Sequence, residues 1–249
     1  MIDANIVPLN EGYYTIGFDK IFIPFDKEKD VLEERSRGSL LVEIQPFLII
    51  TNEQKILIDS GLGFTNVMTG QLKILENLAE HNLEANDITD VIMSHLHKDH
   101  AGGLVVDFNE ELCLTFPRAK YHINQREFDY AIHPKQKMSY DADKLEFLFK
   151  EGQIQWFQDD RIFDFISYEE DGGHCPHHCS LLIDTSNGKY FFGGDVAPQL
   201  KQLKVRYIAK YDFDGKRSLE LRTRYAEKGK KEDWTFMFYH DVEIPMAKL

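Results

Sequence analysis

Between Met93 and Gly103 the chain reads MSHLHKDHAGG, which places His95, His97, Asp99 and His100 within six residues. Neutral imidazole and carboxylate are good ligands for divalent first-row metals. In an extended segment, residues two apart point to the same side, so His95 and His97 can grip one ion together. Asp99 and His100, after a bend, can reach toward a second, and Ala101-Gly102-Gly103 lets the backbone turn away without a side-chain clash. A lone His-x-His is more often a surface or satisfied core pair; four candidate ligands in six residues reverse that reading. Two divalent ions about 3.5–4 Å apart lower the pKa of a shared water and supply hydroxide at neutral pH. The chemistry implied is hydrolysis by metal-activated water.

A two-metal site needs ligands from elsewhere, and three further clusters offer them. GGHCPHHCS sets His174, His177 and His178 after a Gly-Gly turn, FFGGDV ends an apolar run on Asp195, and MFYHD ends another on His240. The C-x3-C spacing of Cys175 and Cys179 lacks the tight, repeated Cys/His pairs of a structural zinc site, so these read as small buried side chains. Cys113 reads as core filler.

The elements that must deliver these residues follow from pattern. SLLVEIQPFLIITNEQKILIDSGLG reads as two β-type runs separated by the turn Thr51-Asn52-Glu53-Gln54. Residues 71–83 carry Leu72, Ile74, Leu75, Leu78 and Leu83 at helical spacing. DVIMSH reads as a strand that empties into the His-rich stretch. CSLLIDTSNGKYFFGGDV reads as a hairpin turning at Ser186-Asn187-Gly188. Ser218 to Glu227 reads as a helix with Gly229 just past its end, and residues 235–241 as a strand. Strands and helices in both halves, with polar residues at strand ends, predict a layered α/β fold.

Composition bounds the partners. The chain has 249 residues, 43% of them hydrophobic, and a formal net charge of −13. That length supports one large domain, 1–249, without a linker or repeat. The charge disfavours nucleic acid, which is bound through clustered Lys and Arg; the run Lys228 to Lys231 fits a solvated helix end. No stretch approaches the ~20 apolar residues of a membrane span. The N-terminus lacks a signal-peptide pattern, and three cysteines are too few for a disulfide scaffold. A cytoplasmic protein is expected.

His-Leu-His-Lys-Asp-His-Ala-Gly-Gly resembles the H-x-H-x-D-H signature of the metallo-β-lactamase superfamily of hydrolases. The later elements arrive in that family's order: Gly173-His174, Gly194-Asp195 and a terminal strand with His240, after Ile56-Leu57-Ile58-Asp59-Ser60-Gly61-Leu62-Gly63. The resemblance implies a four-layer αββα sandwich with the site at one edge of two sheets. Carried over residue by residue, His95, His97 and His174 would hold one metal and Asp99, His100 and His240 the other. Asp195 would bridge them, and Asp99 would orient the hydroxide and accept its proton. Asp59 matches a buried acidic position that supports a ligand histidine, its plainer reading being a turn cap. GGHCPHHCSLLID is similar to the lactonase pattern P-G-H-T-P-G-H-x-S, which makes His174 the ligand, leaves His177 where the family often has glycine, and makes His178 the histidine that supports the turn or borders the pocket.

Within the superfamily, His97 argues against the flavodiiron branch and His100 against class B β-lactamases. The charge argues against nucleases, and the short stretch after His240 against glyoxalase II-type thiolesterases. The chain is most similar to N-acyl-homoserine lactonases and related esterases and phosphotriesterases. That implies a dinuclear hydrolase of a small-molecule lactone or other ester, with two divalent ions, zinc first and manganese, iron or cobalt as alternatives. The competing readings are a mononuclear iron oxidoreductase of the sulfur dioxygenase type, a thioester or phosphoester hydrolase, and a metal-binding protein without catalysis. One departure stands out: Pro198 occupies the position where some lactonases carry a substrate-binding tyrosine, with Tyr207, Tyr211 and Tyr239 as candidate replacements. Residues 15–36 and the aromatic stretch 130–165 are the candidate specificity walls. For the aromatic stretch, core packing or a homodimer contact is the plainer reading.

Overall fold

The computed structural model describes residues 2–249. Alternating apolar residues build two six-stranded sheets that face each other. In the first, the strands run in the order Asn5–Pro8, Phe47–Ile50, Lys55–Ile58, Asp90–Ile92, Lys120–Ile123, Ile154–Trp156. The first three strands pair antiparallel and the remainder parallel. In the second, the order is Arg161–Phe163, Ile166–Glu170, Cys179–Thr185, Gly188–Phe192, Thr235–Met237, Met246–Ala247.

The strand period of two sorts each run between two cores. Ile49, Ile56, Ile58 and Ile92 of the first sheet point inward and pack with Leu181, Ile183, Phe192 and Met237 of the second. Their neighbours Leu48, Leu57 and Val91 point outward, where Ile74 and Leu78 of helix Lys73–Glu80, Phe128 of helix Gln125–Ala131 and Leu148 of helix Ala142–Lys150 cover them. On the far side, Phe191 and Phe236 meet Leu221 and Tyr225 of helix Gly215–Glu232. The order helix, sheet, sheet, helix is the expected αββα sandwich. No helix among the described residues is long and apolar enough to cross a membrane.

Four local readings need correction. The run expected as one strand before Thr51 is two, Leu40–Glu43 and Phe47–Ile50. Pro46 supplies no N–H, and the chain there changes sheets, Leu40–Glu43 joining a small three-stranded sheet with Tyr13–Ile16 and Phe22–Phe25. Gly229 lies inside its helix, which continues to Glu232 and ends on Asp233 in the left-handed region. A Cβ on Gly229 would sit 2.3 Å from the Phe236 ring, so this glycine serves close packing rather than a helix end. Cys113 is half-exposed on the hairpin of Val105–Phe108 and Glu111–Leu114, outside the core. The strand expected over 235–241 stops at Met237, and a loop carries His240 onward.

Candidate metal centre

The parallel strands of the first sheet end on one edge, and the site grows from there. Strand Asp90–Ile92 leads through Met93 to Ser94, whose amide and hydroxyl both donate to Asp59, each at 2.8 Å. His95 follows directly. His97 caps the short helix Lys98–Ala101, which turns Asp99 and His100 back toward the same space. Gly102 and Gly103 make this turn possible by clearance: a Cβ on either would lie 2.3 Å or less from a carbonyl oxygen of Leu62 or Ser60. The second sheet supplies the rest. His174 comes from the loop before Cys179–Thr185, Asp195 from the turn after Gly188–Phe192, and His240 from the loop after Thr235–Met237. Gly194 holds that middle turn at φ +46°, where a Cβ would strike His178 Nε2 at 2.5 Å.

All seven residues named from sequence converge, as two donor groups that share Asp195. His95, His97, His174 and Asp195 form one, and Asp99, His100, Asp195 and His240 the other, with one donor atom per residue and all atoms of a group within 4.8 Å of one another. In the first, His97 Nδ1 lies 3.0 Å from His95 Nε2 and 2.9 Å from His174 Nε2. Donors on a tetrahedral zinc at ~2.0–2.1 Å sit about 3.3 Å apart, close to this spacing. Asp195 turns Oδ2 to this group, 3.2 Å from His174 Nε2, and Oδ1 to the other, 3.2 Å from His100 Nε2 and 3.1 Å from His240 Nε2. Asp99 Oδ2 stands 3.4 Å from His240 Nε2 and 3.8 Å from His100 Nε2.

The far atoms of the ligands are tied down. His100 Nδ1 meets Asp59 Oδ2 at 2.7 Å, His174 Nδ1 meets Asp212 Oδ1 at 3.1 Å, and His240 Nδ1 donates to the Glu43 carbonyl at 2.7 Å. Such partners fix which nitrogen faces a metal. Asp59 thus supports a histidine, as the resemblance implied. His178 and His177 stay out of both groups. His178 donates from Nδ1 to Asp171 at 2.8 Å and accepts the Asp195 amide at 3.2 Å, while His177 meets Glu170 at 2.9 Å. The two site cysteines are buried and free. Cys175 Sγ lies 3.4 Å from both Glu127 oxygens, and Glu127 also accepts from Tyr140 at 3.0 Å.

Electrostatics divide the two groups. Burial and neighbouring imidazoles hold His95 and His97 well below the usual histidine range, with Lys20 adding to the effect on His97. Neutral imidazole is the ligating form. Burial also opposes charge on His100 and His240, but Asp195 and Asp99 outweigh it, with Asp59 adding to the effect on His100. They raise His100 well above the histidine range and His240 to about 10. In turn His240, His100 and His174 overcome burial to hold Asp195 well below the carboxylate range. Carboxylates that stabilise two buried imidazoliums would stabilise a divalent cation in the same place. His100 Nε2 and Asp195 Oδ1 point the same way: both are buried, and although 3.2 Å apart they make no hydrogen bond. The donor types, spacing and these orphaned atoms fit two divalent ions.

His97, Asp99, His174, Asp195 and His240 form the floor of a cavity of about 970 Å³, with His95 and His100 beneath it. Its walls correct the sequence reading in part. Ile16, Phe18 and Phe22 from the expected 15–36 region do line it, but from 130–165 only Met138 and Ser139 do. Tyr140, Phe147 and Trp156 pack in the outer core of the first sheet, Phe147 from a covering helix and Trp156 from the sheet's own edge strand. The larger wall is the segment from Pro198 to Tyr211. Beyond Pro198, Tyr207 and Tyr211, neither it nor Asp212 carries a sequence signal, so sequence reasoning misses the rest; Asp171, next to Gly172-Gly173, has a faint signal in that turn. Among the candidate tyrosines, Tyr207 and Tyr211 line the cavity. Tyr239 instead stacks on His100 at 3.9 Å and donates its hydroxyl to the Asp99 carbonyl at 2.7 Å.

An αββα sandwich with a histidine- and aspartate-lined floor at one sheet edge defines a class, and the family comparison gives the same class. The chain belongs to the metallo-beta-lactamase superfamily, whose family model matches residues 43–237. An N-acyl homoserine lactonase from a Bacillus species is 27% identical over 228 residues, spanning 83% of this chain and 84% of that protein. Among solved structures, a probable metal-dependent hydrolase from Staphylococcus aureus aligns over 100% of this chain and 93% of its own, at TM-score 0.81 and 24% identity. AidC, a dizinc quorum-quenching lactonase, aligns over 100% and 91%, at TM-score 0.76 and 19% identity. These two share the fold with this chain.

Proposed function

We propose that residues 1–249 form one domain that is a dinuclear, metal-dependent hydrolase of a lactone or other ester. The observation that carries this reading is the pair of donor groups sharing Asp195, one carboxylate oxygen turned to each, at the floor of an open cavity. His95, His97 and His174 would hold one ion and Asp99, His100 and His240 the other, with Asp195 between them. Zinc suits this set; manganese, iron and cobalt are the alternatives. Two divalent ions held by these residues would supply hydroxide at neutral pH and a Lewis acid for the ester carbonyl.

The chain's own residues do the rest. Asp99 orients the attacking water and takes its proton, held for this by its position beside His240 Nε2. Asp59, Asp212 and the Glu43 carbonyl keep His100, His174 and His240 from rotating. Tyr211 takes the part that Pro198 cannot. Its hydroxyl accepts from Gln202 Nε2 at 3.2 Å, which leaves its own proton free for the substrate carbonyl. The net reaction adds water across the acyl C–O bond, giving a carboxylate, a proton and an alcohol, both organic groups in one molecule when the substrate is a lactone. The lactonase relative supports the substrate class.

The test is to strip the protein with a chelator, restore zinc in steps, and follow proton release from a lactone and an aryl ester. Activity should rise until two equivalents are bound. No turnover of either substrate at any zinc level would contradict the reading.

A further inference from the structure

The cavity carries a charge that cleavage of a neutral lactone does not use. Lys20, Lys98, Lys201 and Lys210 all line it, drawn from three separate segments of a chain whose net charge is −13. The carboxylates lining it are Asp99 and Asp195, which face the two proposed metal positions. Among the described residues, lysine and arginine ion pairs involve Lys29, Arg126, Lys189, Arg222, Arg224 and Lys248, so no cavity lysine is neutralised by one. Lys98 Nζ donates to the Lys137 carbonyl at 2.9 Å and Lys20 Nζ to the Ser139 hydroxyl, neutral partners that leave the charge in place.

Between the lysines the wall is apolar, with Phe18, Phe22, Leu40, Val205 and Ile208. Low-dielectric walls focus a field of one sign into a cleft.

Resting on the hydrolase reading above, we propose that this site selects esters that carry a fixed negative charge, carboxylate or phosphate, on an apolar body away from the scissile bond. The lysines would hold that anion at the wall while the floor cuts the ester.

The test uses zinc-loaded protein and p-nitrophenyl esters of one medium-length acyl chain, ending in carboxylate, phosphate, neutral carboxamide or trimethylammonium. At low salt, kcat/KM for at least one anionic ester should exceed that for the carboxamide by about tenfold, mainly through KM, and the cation should be poorest. Rising salt should shrink the preference. The ratio between carboxylate and phosphate esters then identifies the anion. The double variant Lys201→Glu/Lys210→Glu, at exposed positions that do not threaten folding, should abolish the preference and leave the carboxamide ester within twofold. Equal rates for anionic and neutral esters overturn the proposal. So does a preference that survives the double variant unchanged, since the floor alone would then attract the anion. Failure of all four esters and of lactones overturns the hydrolase reading itself, and this inference with it.

Discussion

The floor and the mouth of the cavity are built on opposite principles. On the floor His95, His100, His174, Asp195 and His240 are buried, and the far nitrogens of His100, His174 and His240 are each fixed by a partner. At the mouth, Phe18 is 87% exposed and Ile208 53% exposed, and among the described residues Lys201 and Lys210 have no carboxylate partner. Side chains that must present lone pairs to an ion within tenths of an ångström need such restraint. Side chains that only admit or reject a substrate need exposure and charge. The difference teaches that the reaction and its selectivity are separable in this fold. Changes to the floor's supports should alter metal retention, and changes at the mouth should alter which substrate is used.

The sharpest way to break that comparison is at Asp59, fully buried and bonded to both Ser94 and His100. Asp59→Asn replaces an acceptor by an amide that must turn a donor toward one of them. Zinc affinity, measured by competition with a chromophoric chelator, should fall about 10- to 100-fold; an unchanged affinity would deny the floor its need for restraint. Tyr211→Phe sharpens the mouth side. It should lower kcat/KM for a lactone by roughly tenfold, the scale of one hydrogen bond to a developing charge, with zinc affinity intact. A rate unchanged by the substitution would remove Tyr211 from substrate binding.

The smallest effect on turnover should come from beneath the floor. Glu11 is buried under the loop after Asp59, accepting the Leu62 amide at 3.0 Å, and burial pushes its carboxyl up to about 8. Because the folded state binds this proton more tightly than the unfolded chain, the stabilisation is complete below about pH 4.5. It is lost as pH rises through 8, by as much as about 5 kcal/mol. Urea midpoints at pH 6 and 9 should therefore differ more for the native chain than for Glu11→Gln, which keeps the neutral form at both. Equal differences would show that Glu11 is not protonated in the fold.

The same contrast explains what was legible in the sequence. Metal chemistry demands particular residue types, so His95, His97, Asp99 and His100 announced themselves, and Gly-Gly turns flagged His174 and Asp195. Strand and helix patterning gave a layered α/β fold and no more; the two facing sheets followed from the family resemblance, and the split into inner and outer faces is visible only in the structure. The mouth was legible only in part: residues 16–22 and 138–139 fall within the two stretches read as candidate walls, but of 198–211 only Pro198, Tyr207 and Tyr211 stood out, because these pieces meet through the fold, without spacing or period. Asp212 was invisible for the same reason: a lone aspartate in YDFDGK becomes the partner of His174 only in three dimensions. For the aromatic stretch the plainer reading, core packing, is what Tyr140, Phe147 and Trp156 show; such side chains look alike in sequence whether they grip a ligand or cover a sheet.

The central claim is two ions held around Asp195, and elemental analysis of protein purified without added metal measures it most directly. The account predicts two divalent ions per chain, falling to one or fewer when His240 or Asp195 is changed to alanine, with ester hydrolysis lost in parallel. A single ion per chain, iron in particular, retained unchanged in His240→Ala, would contradict it and point to a mononuclear centre.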